Sequence, residues 1–161
     1  MTASNRAGMV YLDGDARPVA EGLDGAPGVD VVLFREGGEA VARRDGAELR
    51  FERADDGYAT SGDASILGEP HGLERAWAAL ANPNAGEVIV SATAGWEFAD
   101  LAGRHHAGGG SHGSLLVGDS EVPMLAVGLG AELASITDVM PAALEHFGVA
   151  APAYARPLAR A

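Results

Sequence analysis

Asp45-Gly46 stands between two runs, Ala40 to Arg44 and Ala47 to Arg53, in which apolar and polar residues alternate. Alternation puts every second side chain on one face of a strand, and Asp-Gly supplies the two consecutive positive-φ residues that a tight type I′ turn needs. The pattern predicts an antiparallel β-hairpin with one wet face. Upstream, Val29 to Phe34 (VDVVLF) is β-branched and almost continuously apolar. A run of that kind predicts a strand covered on both faces, and the expectation drawn from it is a strand of parallel type. Sheet plus covering helices is therefore the frame in which the rest of the chain has to fit.

The covering helices are legible as apolar residues at helical spacing. Arg17 to Leu23 is stopped by Gly25 and Pro27, and Gly72 to Ala81 (GLERAWAALA) is stopped by Asn82-Pro83. Ile136 to Phe147 is a third, with Thr137 or Asp138 as its cap, Pro141 expected within its first turn and Gly148 as its stop. Further strands are expected over Gly8 to Asp13, Glu87 to Ala92 and Val122 to Leu129, the last with Pro123 near its start. Tyr58 to Gly68 reads as irregular. The expected organisation is one α/β domain over residues 1–150, followed by a tail over 151–161 that is poorly ordered or straps the surface.

Charge narrows the classes of partner. Twenty-three acidic against 11 basic residues leave a formal charge of -12, a surface that repels phosphate backbones and argues against nucleic acid as a steady partner. Cysteine is absent, so disulfides and thiolate ligation are excluded and any metal must be held by histidines and carboxylates. No apolar stretch approaches the length of about 20 residues that spans a bilayer, and no leader-like start is present. A cytoplasmic location without membrane association is the default expectation.

One segment carries chemistry. Three of the five histidines, His105, His106 and His112, fall within eight residues, and glycines 108–110 lie between them. Glycines bring backbone close to a ligand and admit positive φ, and the amides and hydroxyls of Gly110, Ser111, Gly113 and Ser114 are candidate donors to an anion. Metal plus phosphate suits this combination; a surface loop with solvated histidines is the plainer alternative. Asp119 and Glu121 follow as acceptors behind a metal-bound histidine, or as turn residues. His146, at the end of a helix, reads as structural because a cation is favoured there, and His71 lies in a loop.

The run GGGSHGSLLVGDSEVPMLAVGL, followed by ASITDVMPAALEHFGV, resembles the C-terminal part of the type I phosphodiesterase/nucleotide pyrophosphatase family of the alkaline phosphatase superfamily. The resemblance is carried by His112-Gly113, Val122-Pro123, Asp138 to Pro141 and Phe147-Gly148-Val149, and extends upstream through VDVVLF, the hairpin and EVIVSATAGWEF. It implies an α/β fold, a partial alkaline-phosphatase-like sheet with a β-hairpin insertion and flanking helices. It also implies His112 as a ligand to a divalent metal, zinc above others, with His106 and His105 as supporting candidates.

The same family uses a Thr or Ser nucleophile and an Asp-His-Gly motif that lie upstream of the matched region, and no Asp-His-Gly occurs here. A two-metal phosphoester hydrolase needs several carboxylates and histidines, so the resemblance implies a C-terminal portion that is inactive alone. Two other readings stay open. One is a non-catalytic metal- or anion-binding interaction module, and the other a subunit that complements a second chain carrying the nucleophile. The partners expected are a phosphoester small molecule, an N-terminal catalytic portion on another chain, or further copies of this chain.

Overall fold

The computed structural model describes residues 2–99, 110–130 and 133–155. They fall into two compact units, Met1–Glu121 and Val122–Ala161.

The first unit is built on a seven-stranded sheet of β1 (Thr2–Ser4), β2 (Ala7–Val10), β3 (Val29–Glu36), β4 (Glu39–Arg44), β5 (Ala47–Ala54), β6 (Gly57–Gly62) and β7 (Val88–Ala92), in the order β1-β2-β7-β3-β4-β5-β6. The Asp45-Gly46 hairpin forms as expected, with φ of 51° and 84° at the two turn residues and Arg44 opposite Ala47. Every pairing is antiparallel. β3 runs against both of its neighbours, with Leu33 opposite Ala42 of β4 and opposite Ile89 of β7, so the parallel character expected of VDVVLF is overturned. Its continuous apolar pattern reports two covered faces and carries no information about strand direction.

Both covers come from the predicted helices. α1 (Arg17–Leu23) lays Ala20 against Val32, Phe34, Val41, Val88 and Val90. α2 (Gly72–Ala81) and a 3-10 turn (Ala64–Leu67) cover the opposite face, where Leu80, Ala76, Ile66 and Leu67 pack on Val31, Leu33, Leu49, Phe51 and Ile89. Arg35 bridges this layer, with its guanidinium 4.4 Å from the Trp77 ring centre and Nε donating to the Leu80 carbonyl at 3.2 Å near the end of α2. Most of the stretch expected to be irregular is regular: β6 begins at Gly57 and runs through Gly62, and the 3-10 turn follows at Ala64–Leu67. β6 is polar and exposed at the sheet edge, so it lacks the apolar alternation that announces a strand.

Where α1 leaves the α1-facing side of the sheet uncovered, charge replaces hydrophobic contact. Arg17 bonds Glu36 in a bidentate fork and reaches Glu48 at 2.9 Å; Arg50 meets Glu36 at 2.7 Å and Glu39 at 2.8 Å, and Arg43 meets Glu48 at 2.6 Å and Asp24 at 3.2 Å. Arg17 above all holds Glu36 and Glu48 down to about 2, from ordinary values near 4.5. A carboxylate depressed in the folded state contributes stability that is complete above its unfolded value and is lost as pH falls toward its folded value. The urea midpoint is therefore expected to stay level from pH 7 to about pH 5.5 and to fall steadily from about pH 5 toward pH 2, with a shallower decline in Arg17→Met. A midpoint as flat below pH 5 in the parent protein as in the variant would show that the network is energetically neutral.

The second unit holds α4 (Ile136–His146) and a 3-10 turn (Ala153–Ala155). The cap differs from the one expected. Ser135 is the N-cap, its hydroxyl accepting from the Thr137 N–H at 3.3 Å, while the Asp138 carboxylate accepts from the Ala134 and Ser135 N–H groups at 2.8 and 2.9 Å. Pro141 consequently lies beyond the first turn, inside the helix. Val122 to Leu129, expected as a strand, pairs with no described strand. Its apolar composition is strand-like, but a strand exists only with a partner ladder. Among the described residues no helix is long and apolar enough to cross a membrane.

Candidate functional site

The glycine-rich segment comes back to the sheet at the β1–β2 turn and the end of β7. The Arg6 N–H donates to the His112 carbonyl at 3.2 Å and the Arg6 carbonyl accepts from the Ala92 N–H at 3.0 Å, so one turn residue holds both the sheet and the loop. Past His112 the chain is anchored through several polar groups. Leu115 donates its N–H to Ser91 Oγ of β7 at 2.9 Å. Arg75, from α2, donates to the carbonyls of Ser114 at 2.9 Å and Leu115 at 3.3 Å and to Ser120 Oγ at 2.6 Å. Burial pulls the Arg75 guanidinium below its usual value, and the negative charges of Asp119 and Glu69 oppose that.

Asp119 is the hub of this network. It lies in a single helical turn, α3 (Val117–Ser120), with its side chain only 5% exposed. One carboxylate oxygen meets Arg6 Nη1 at 2.5 Å, and the other accepts from the N–H and hydroxyl of buried Ser114 at 3.0 and 2.6 Å. Arg6 Nη2 also donates to the Thr93 carbonyl at 3.1 Å. A buried ion pair whose carboxylate is also held by hydrogen bonds is the arrangement in which charge fixes a local conformation. The two donors of Ser114 that were candidates for an external anion are thus taken by Asp119.

His112 itself is exposed. Gly113 after it takes φ +109°, the left-handed region expected of a glycine in this loop, whereas Gly110 is exposed and outside that region. His105 and His106 lie outside the described residues. Among the described residues no three histidine or carboxylate side chains gather where they could hold one metal ion. Asp119 has Arg6 and Ser114 as partners, and Glu121 closes α3 through its N–H to the Val117 carbonyl. His71 is the left-handed residue before α2, and His146 ends α4 with its ring edge-on to Phe147.

Beside His112 is a cleft of about 360 Å³ lined by Arg6, Gly95, Trp96, Glu97 and Ser111. Arg6 Nε and Ser111 Oγ are both buried and have no hydrogen-bond partner among the described residues. Trp96 lies so close over Gly28 that a Cβ there would stand 2.5 Å from its ring. Neither Arg6, Arg75 nor Ser91 announces its anchoring role in the sequence, since each acts on a segment at least 24 positions away. No protein-family model, no curated protein and no solved structure matches this chain.

Proposed function

We propose that this chain supplies one wall of a phosphoester-hydrolase metal centre, with His112 as a single imidazole ligand and the nucleophile and remaining ligands on another polypeptide segment. The observation that supports it is the contrast at His112: an exposed imidazole on a backbone pinned by Arg6, Ser91, Arg75 and Asp119. Rigid anchoring of a loop that presents one solvent-facing ligand is what preorganisation of a metal site requires. On this reading the antiparallel sheet is an elaboration carried by an alkaline-phosphatase-like fold, and a phosphoester is the substrate class.

Among the described residues no metal site is complete, and on this reading the chain alone supplies no catalytic step. A four-ligand zinc site is worth about 10–16 kcal/mol, and one ligand's share corresponds to an affinity of about millimolar. Zinc titration followed by NMR of the His112 ring is expected to give a midpoint near that value, lost in His112→Ala, with no hydrolysis of bis-p-nitrophenyl phosphate. Submicromolar zinc binding, or robust turnover abolished by His112→Ala, would sink the one-wall reading.

A second reading, an anion-binding module, is favoured by one observation: Arg6 Nε and Ser111 Oγ are donors on the same cleft without a partner among the described residues. Inorganic phosphate titrated against Trp96 fluorescence, with Ser111→Ala as control, separates the two. Phosphate binding lost in Ser111→Ala without zinc binding at His112 would favour the module.

A further inference from the structure

The most anomalous surface of the molecule lies in the second unit, Val122–Ala161. Leu125 is 90% exposed, Val127 87% and Val122 66%, on a segment whose backbone makes no hydrogen bond to another described residue. In the same unit Ile136, Val139 and Met140 of α4 are exposed, as are Phe147 and Tyr154. The exposed fractions of these side chains amount in all to on the order of 800 Å² of surface, about one partner's share of a standard protein interface. Surfaces of this size are rare on monomers, and unpaired apolar strand-like segments are templates for pairing.

Charge indicates what covers it. The second unit contains three acidic residues, Glu132, Asp138 and Glu145, and two basic ones, Arg156 and Arg160, so that -11 of the formal -12 belongs to Met1–Glu121. A near-neutral apolar patch meets its own copy without electrostatic cost, while the net charge of the acidic first units disfavours association through them. A patch that pairs with itself also closes under two-fold symmetry, the commonest oligomeric arrangement.

We propose that the occupant of this surface is a second copy of the chain: Val122 to Val127 of two copies pair as antiparallel strands, and the exposed residues of α4 pack beside them. The inference is independent of the metal-site reading, because it uses neither His112 nor its loop.

The test is sedimentation velocity on the full chain from 1 to 100 µM, at about 50 and about 500 mM salt. A dimer is expected in the micromolar range, and it should tighten as salt screens the repulsion between the acidic units. Leu125→Asp and Val127→Asp are expected to weaken it by about 100-fold, because each dimer then buries two unpaired carboxylates. Both side chains are exposed, so the far-ultraviolet circular dichroism of the variants should match that of the parent. A monomer at 100 µM in both salts would overturn the proposal and leave the surface to a different polypeptide. So would polydisperse aggregates in place of a dimer, or a Leu125→Asp protein that dimerises as well as the parent.

Discussion

Phe51→Ala is expected to lower the unfolding free energy by about 3–5 kcal/mol, the largest single effect in this chain. Phe51 is completely buried on β5, with its ring centre 6.1 Å from Tyr58 and 6.3 Å from Trp77, and those two rings lie 6.0 Å apart. The three rings join three separate elements, β5, β6 and α2. Truncation removes the buried ring and leaves a cavity that neither strand nor helix can collapse into without breaking its own hydrogen bonds. The edge-on and tilted ring contacts add about 0.5–1.5 kcal/mol per pair beyond burial. Against a typical stability of 5–15 kcal/mol, such a loss removes a third or more of the total. Thermal unfolding followed by Trp77 fluorescence should show a midpoint lower by about 10–20 °C. A shift under about 3 °C would mean that the aromatic cluster is loosely packed and that the core resides on the other face of the sheet.

Asp119→Ala has the second largest expected effect, by a different route. It removes no apolar contact but leaves Arg6, whose side chain is only 13% exposed, without its counter-charge, and orphans the N–H and hydroxyl of Ser114. Breaking one side of a buried pair costs about 3–5 kcal/mol because the desolvated charge remains behind. Arg6 can recover water by breaking the Thr93 contact, so the response should divide between global stability and local opening. Hydrogen exchange distinguishes the two: the amides of Ser114 and Leu115 should lose protection by at least about 100-fold, while those of β3 and β7 change only as much as the midpoint does. Equal loss everywhere would show that the loop and the sheet unfold as one unit, and unchanged protection at Ser114 would show that Asp119 is not the hub described.

How much of this was legible in the sequence depends on whether each feature is local. The Asp45-Gly46 turn, the helical spacing of Leu73, Ala76, Trp77 and Leu80, and the Asn82-Pro83 stop are determined within a few residues, and each formed where it was expected. Strand direction is not local. VDVVLF looks the same to its neighbours whichever way they run, and only β4 and β7, the latter 52 or more positions away, decide the matter. Val122 to Leu129 shows the complementary limit, since apolar composition gives a segment the capacity to be a strand and a partner ladder makes it one. In the glycine-rich loop, His112 stands out as a candidate from its neighbours in sequence, whereas the residues that anchor its backbone do not. Arg6 meets Asp119 across 113 positions of chain, and no spacing rule reaches that far. Asp119 was expected as an acceptor behind a metal-bound histidine or as a turn residue, and its carboxylate instead accepts from Arg6 and Ser114.

The place of β7 has a consequence for the order of events in folding. β3 to β6 form a meander in which each strand pairs with the next, so this half can assemble as soon as it is synthesised. The β1–β2 ribbon can do the same, yet the two halves share no strand-to-strand contact. β7 alone stitches them, with β2 on one side and β3 on the other, and it arrives late in the chain. Closure of the sheet therefore waits on the least local pairings it contains, those between residues 7–10 and 88–91, whose long loop entropy is repaid only at that step. The rate of folding should be set by the docking of β7, and the last edge to be protected is the one on which Arg6 later receives the His112 loop.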